Sequence, residues 1–367
     1  MPEVTVGLLA DPDLPARLAR HLVEDLPAAL RSRGDECAWR VEFLGDALGD
    51  PFEAMHPSDD YLIDKARNHV RDTSWDLALC LTDLPLRDEQ GVAVATVDGR
   101  RRVALLSVPA LGGVRLRRRL TALAVAVVGA LRPGDAAAED ISGRLEGRLS
   151  GRAMRVEPGA AGEASVYLAR LWGVVTLLAG MVRANRPWQL IVGLSTALAG
   201  SLAGTAFGVL YSSIWQLATA LGALRLAAVT VAALLTLTVW IVVRHSLWER
   251  RAPGSVHSRD PDLSLRNLGT LATVAVGAVT FFGVLYALAL GAVALTIPPG
   301  YLATVLARPA DVRDYLTIAL MATVLGTIAG AVGSGLENDT TVRKAAYGNR
   351  DLERRRRAEH MRRASDP

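Results

Sequence analysis

Apolar residues cluster along this chain in two distinct ways. From Val4 to Ala10 they form a short run closed by Asp11, Pro12 and Asp13, the pattern of a buried strand ending in a turn. Leu14, Leu18, Leu22, Leu26 and Leu30 follow at helical spacing, which predicts a helix through about Arg33 capped by the preceding Asp-Pro-Asp. Trp39 to Leu44 and Trp75 to Leu81 read as further strands, separated by a Gly/Asp/Pro-rich loop and a helix over about 58–71. Val92 to Val97 and Arg102 to Val108 flank Asp98-Gly99 and predict a hairpin, and Val114 to Leu131 predicts a closing helix. Two strand–helix–strand crossovers imply three parallel strands in the order 2-1-3 with the antiparallel hairpin at the edge. Residues 1–132 are therefore expected to form an α/β domain. Residues 133–165 have mixed charge, repeated Gly and weak periodicity, and read as a linker or loose helix.

The second pattern is long and charge-free. Trp188 to Leu224, Asn267 to Ala307 and Tyr315 to Leu336 contain no charged residue. A spanning helix needs about 20 apolar residues, so residues 187–338 are expected to hold four spans, over about 188–211, 224–243, 268–292 and 315–336. Ser212 and Ser213 are expected at the first turn, and a loop over about 293–314 after the Pro298-Pro299-Gly300 break. Residues 166–186 are less apolar: the uncharged run from Leu171 to Val182 is short and flanked by Arg170 and Arg183, which predicts an amphipathic helix lying in the membrane interface. Phe207-Gly-Val-Leu-Tyr211 recurs as Phe282-Gly-Val-Leu-Tyr286, which suggests a bundle of two related hairpins with both copies at one depth. The whole chain thus reads as an α/β cytoplasmic domain followed by an all-α four-helix transmembrane bundle, with a basic tail over 339–367.

Charge sharpens this division. Of 367 residues, 51% are hydrophobic, and the mean hydropathy of +0.26 places the chain outside the soluble class. Residues 1–165 carry 21 Lys+Arg against 26 Asp+Glu, leaving them at −5, while the remainder stands at +9. Arg183, Arg186, Arg244, Arg250, Arg251, Arg259, Arg266 and the Arg354–Arg357 tail fall on one side of the expected spans; Arg225, Arg308 and Arg313 fall on the other. The positive-inside rule then puts both termini in the cytoplasm of a bacterial inner membrane. The opening Met-Pro-Glu-Val-Thr-Val lacks the basic and apolar regions of a signal peptide, which leads to the same expectation. Cys37 and Cys80 are too few for a disulfide framework and are expected as thiols. The abundance of Ala, Gly and Arg over Lys suggests a bacterial source of high GC content.

Open α/β sheets bind ligands at the C-terminal ends of their strands. The candidates here are Asp11 and Asp13 after the first strand, Thr82 and Asp83 after the third, and Ser107, Gly112 and Gly113 after the hairpin. Asp and Pro after strands also serve as ordinary turn residues. No dinucleotide-binding glycine pattern, phosphate-binding loop or zinc-binding histidine pair appears, so no catalytic residue, metal or cofactor is assigned. Arg100 to Arg102 and Arg115 to Arg119 form basic clusters suited to anionic lipid head groups. Gly200, Gly204 and Gly208, and Ala322, Gly326 and Gly330, recur at four-residue spacing; such stripes let helices pack closely, within one bundle or between copies in a homo-oligomer. No Asp, Glu, Lys or His falls at mid-span, which disfavours an ion-coupled transporter. The expected function is a non-enzymatic membrane protein of regulatory or scaffolding role, whose α/β domain binds a partner or small ligand rather than nucleic acid. A small-solute transporter or channel subunit, or a membrane-proximal enzyme using Asp83 and Ser107, are the alternatives.

Four stretches carry a family resemblance: Cys80-Leu-Thr-Asp-Leu-Pro85, Ala104-Leu-Leu-Ser-Val-Pro-Ala-Leu-Gly112, Met181-Val-Arg-Ala-Asn-Arg-Pro-Trp188 and Gly330-Ala-Val-Gly-Ser-Gly-Leu-Glu337. They resemble an uncharacterised bacterial family of polytopic membrane proteins, common in actinobacteria, whose members often carry the automatic label 5,10-methylenetetrahydrofolate dehydrogenase. A folate dehydrogenase needs a dinucleotide site, and the glycine pattern for one is missing. Residues 1–131 also look like the front half of the archaemetzincin peptidases, whose zinc motif lies on the next helix. In this chain that helix reads Val-Arg-Leu-Arg-Arg-Arg-Leu-Thr-Ala-Leu, without His or Glu, so the resemblance implies the fold without its metal site.

Overall fold

A computed structural model describes residues 3–11, 13–32, 37–44, 73–88, 90–132, 141–149, 154–159, 162–185, 195–248 and 261–335. The helix expected over 58–71 and the basic tail lie outside these residues. The chain divides into two compact units, Met1–Ala184 with Glu353–Pro367, and Asn185–Leu352.

Unit 1 is built on one mixed sheet. Its strands are β1 (Glu3–Ala10), β2 (Ala38–Leu44), β3 (Leu77–Thr82), β4 (Leu86–Asp88), β5 (Gly91–Asp98), β6 (Val103–Ser107), β7 (Met154–Pro158) and β8 (Glu163–Leu168). The order is β2-β1-β3-β6-β5-β8-β7, with β4 on β5. The expected order 2-1-3 stands, since β1 pairs in parallel with both β2 and β3. The sheet is nevertheless larger than expected. β6 joins β3 as a fourth parallel strand, so the β5–β6 hairpin lies inside the sheet rather than at its edge. β1, β3 and β6 are nearly continuous apolar runs because they are buried on both faces, one of them against Trp75, Leu84, Leu86 and Tyr167.

The stretch 133–165 is not simply a linker. It contains α3 (Ile141–Leu149) and the strands β7 and β8, which extend the sheet antiparallel from β5. Only Val156 of β7, and Ala164, Val166 and Tyr167 of β8, are buried, so most of this hairpin reads as polar loop. α1 (Leu14–Arg31) buries Leu18, Leu22, Leu26 and Leu30, as its spacing predicts. Its N-cap does not match the expectation, because Asp13 has φ +68° and makes no side-chain cap bond. α2 (Leu116–Ala130) packs beside α1, and Arg117 grips the Asp25 carboxylate at 2.6 and 2.7 Å.

Residues 166–186 also differ from the expected interfacial helix. They begin in β8, and α4 (Arg170–Asn185) starts only afterwards. Gly173, Leu177 and Gly180, at spacings of four and three, form a buried face within unit 1, while Val175, Ala179 and Arg183 are exposed.

Unit 2 is helical: α5 (Ser195–Leu210), α6 (Ser212–Ala220), α7 (Ala223–Arg244), α8 (Pro261–Thr296), α9 (Pro299–Leu306) and α10 (Val312–Ser334). Three of these, α7, α10 and the Asn267–Thr296 part of α8, are long and apolar enough to cross a membrane. A fourth crossing is present if α5 and α6, bent by 83° at Tyr211, count as one broken span. Residues 188–194 of the first expected span lie outside the described residues. The extended backbone of Tyr211 ends α5, and Trp215 Nε1 donates to the Val209 carbonyl left open by that break at 3.1 Å. The region around 293–314 is more ordered than a loop: α8 runs through Thr296, and α9 follows Pro298. Two copies of the Phe-Gly-Val-Leu-Tyr sequence occupy different settings. The first ends at the α5 break, whereas the second lies inside unbroken α8, ten residues before its end, so the motif does not mark equivalent points of two hairpins.

The small-residue stripes meet each other. An added Cβ at Gly204 would fall 2.8 Å from Ala329 Cβ and 3.1 Å from Gly326 Cα, and one at Gly208 would fall 2.6 Å from Ala322 Cα. The glycines of α5 and α10 thereby allow close backbone approach within one chain. At the other end of α10, Asp311 and Asp314 form a capping box, and Arg308 holds Asp314 at 2.5 and 2.9 Å.

Candidate functional site at the strand ends

Of the residues expected at the C-terminal strand ends, Asp11, Thr82, Asp83 and Ser107 come together around one turn, and hydrogen bonds hold them there. β1 and β3 run in parallel register from Val6↔Leu77 to Ala10↔Leu81, which brings Asp11 beside Thr82. Thr82 Oγ1 donates to Asp11 Oδ2 at 2.7 Å, and the Asp83 backbone N–H donates to the same oxygen at 3.0 Å. Thr82 Oγ1 also accepts from the Leu84 N–H at 3.1 Å. Ser107, brought alongside by β6, donates from Oγ to the Leu84 carbonyl at 2.8 Å, and the Val108 N–H donates to the Thr82 carbonyl at 2.9 Å. Asp11, Thr82 and Ser107 are each 0% exposed.

These partners give the site its chemical character. A buried carboxylate that accepts a hydroxyl and a backbone N–H is held in place by charge-assisted hydrogen bonds. It ties the end of β1 to the turn after β3. Ser107 spends its hydroxyl proton on a carbonyl. Burial, with the Asp11 carboxylate adding to it, pushes the neighbouring Cys80 thiol well above its ordinary value, so it stays a neutral thiol. Asp13 is exposed at the start of α1, where its carbonyl accepts from the Arg17 N–H at 3.2 Å. Asp83 is half-buried and contributes its backbone. Among the described residues no group of three or more His, Cys, Asp or Glu side chains is placed to hold a metal ion.

Gly112 and Gly113 lead to a different feature. After β6 the chain makes a buried 3-10 turn, Pro109–Leu111, and leaves it through Gly112 at φ +86°, a conformation glycine adopts without strain. Arg119 Nη1 donates to the Leu111 carbonyl at 2.8 Å and braces this turn. α4 is seated on it. An added Cβ at Gly112 would lie 2.9 Å from Thr176 Cγ2, and one at Gly113 would lie 3.0 Å from the Ala179 carbonyl oxygen. A methyl group on Gly180 would overlap the Pro109 carbonyl outright. The far end of the same helix face rests at Gly173 near Leu168 and Val92. The crevice expected to receive a ligand after β6 is therefore occupied by a helix of the same chain. The seat was absent from the sequence-based site; the signal for it was the Gly173, Leu177, Gly180 spacing inside a segment otherwise read by its hydropathy.

Comparison with protein-family models, with curated proteins and with solved structures finds no match to this chain.

Proposed function

We propose that this chain is a non-enzymatic integral protein of the bacterial inner membrane, in which a cytoplasmic α/β unit regulates or scaffolds a bundle of apolar helices. The observation that carries the reading is the seating of α4 on the strand ends. α4 closes unit 1 at Ala184, and unit 2 begins at the next residue. A helix gripped at the face where α/β folds ordinarily bind ligands transmits any change at that face along the chain. The buried network of Asp11, Thr82 and Ser107 supports this reading, because both hydroxyls are donated within it, to a carboxylate and to a carbonyl, which suits rigidity. The glycine stripes, which gave the reason for a transport reading, are occupied in packing α5 on α10. Both termini are proposed to be cytoplasmic from the arginine distribution.

The regulatory step is tested by hydrogen exchange on full-length protein in nanodiscs. Gly180→Ala should unseat α4 and raise exchange in the first turns of α5 and α8. Faster exchange in α4 with no change anywhere in unit 2 would make unit 1 an independent appendage and end the proposal. The topology is tested separately: Pro299→Cys should react with a membrane-impermeant thiol reagent from outside the cell, and Ser246→Cys should be spared. The opposite pattern inverts the membrane orientation.

A further inference from the structure

Unit 1 has a second concave surface, between its first two helices. An open groove of about 740 Å³ runs between α1 and α2. Ala29, Ala122 and Val125 give it apolar surface, the hydroxyls of Ser32 and Thr121 that also line it are donated to the Ala29 and Arg117 carbonyls, and Arg115, Arg117 and Arg118 flank it from the start of α2. Arg117 is already committed, since its guanidinium holds both oxygens of Asp25 across the groove and keeps that carboxyl below its ordinary range. That pair cancels, so the positive charge of the groove is supplied by Arg115 and Arg118. Both are exposed, and among the described residues neither guanidinium forms a hydrogen bond or an ion pair.

We infer that this groove holds the head group of an anionic phospholipid, with Arg115 and Arg118 on its phosphodiester and the apolar surface against its glycerol carbons. Three observations select that occupant. Guanidinium groups match phosphate oxygens in geometry and charge. Apolar surface offers nothing to inorganic phosphate but suits an amphiphile. The −5 balance of residues 1–165 repels an extended polyanion such as nucleic acid, whereas two local cations suffice for one phosphodiester.

The test is native mass spectrometry of the full-length protein released from detergent with phosphatidylglycerol or phosphatidylcholine. The wild-type protein should retain phosphatidylglycerol in preference to phosphatidylcholine. Arg115→Gln/Arg118→Gln should retain one phosphatidylglycerol fewer, with affinity for that lipid falling about tenfold and the remaining, bundle-bound lipids unchanged. Arg118→Glu, at a regular helical position, should show the same loss and serves if the positive φ at Arg115 makes its replacement disturb the fold. Equal phosphatidylglycerol retention by wild type and variants overturns the inference, as does equal retention of phosphatidylcholine. Displacement of the retained lipid by millimolar inorganic phosphate also overturns it, by showing a site for free phosphate.

Discussion

Two glycines on one face of α4 should respond in opposite directions to the same substitution. At Gly173 an added Cβ would sit 3.4 Å from Leu168 Cβ and 3.6 Å from Val92 Cγ2, ordinary contact distances. Gly173→Ala therefore keeps the helix seated and gains helix propensity of about 1 kcal/mol. At Gly180 the added atom would overlap the Pro109 carbonyl oxygen and lie 2.7 Å from its carbon and 2.8 Å from Pro109 Cα. All three are backbone atoms of a turn braced by the Leu111 N–H on the Val108 carbonyl and by Arg119 on the Leu111 carbonyl. The turn has nowhere to move, so the helix must lift. Lifting exposes Leu177, which is 0% exposed and whose burial contributes about 1.5–3 kcal/mol. Set against the propensity gain, Gly180→Ala should weaken the seating by roughly 0.5–2 kcal/mol. Amide exchange along α4 in the full-length protein measures both variants directly: slower than wild type for Gly173→Ala, faster for Gly180→Ala. The same sign of change at both glycines would show that α4 is not seated on Pro109 as described.

Asp11→Ala leaves the Thr82 hydroxyl and the Asp83 N–H buried without their acceptor, and should cost about 1–3 kcal/mol in denaturant unfolding followed by far-UV circular dichroism. An unchanged midpoint would remove the network from the list of things holding the strand ends. In the bundle, Gly204→Leu and Gly208→Leu should lower the thermal transition of the detergent-solubilised protein, whereas Gly283→Ala and Gly291→Ala, which meet nothing within 4 Å, should not. Tyr167 donates to Asp88, and burial with that bond pushes its phenol up to about 12 from 10.0. The unfolded chain therefore loses this proton first, and the stability it confers is full below pH 10.0 and lost as the pH rises toward about 12. Tyr167→Phe should flatten that alkaline loss in a pH series of unfolding midpoints.

The parallel core of unit 1 was legible because β1 and β3 are buried on both faces and α1 repeats leucine every fourth position. The β7–β8 hairpin was not, because an edge pair buries one face only and its charged residues, Arg155, Glu157 and Glu163, face outward. Hydropathy located the long apolar helices, but it does not register the break at Tyr211, which comes from local backbone geometry and the Trp215 bond to Val209. At the candidate site, strand order correctly assembled Asp11, Thr82 and Ser107. What sequence could not reveal was their orientation, inward to one another. It also could not reveal that the space beside Gly112 and Gly113 is taken by α4, a contact between positions more than sixty residues apart.

The seating of α4 on the strand ends is tested most directly by a disulfide. A Cβ on Gly113 would lie 3.7 Å from Ala179 Cβ, within the range of about 3.5–4.5 Å that a disulfide requires. Native Cys37 and Cys80 are both buried, which keeps the background low. Gly113→Cys/Ala179→Cys, oxidised in native membranes and mapped by mass spectrometry, should join the two peptides in most molecules, while Gly113→Cys/Val175→Cys should not. A crosslink in neither pair, or equally in both, would contradict a helix held on the strand-end face.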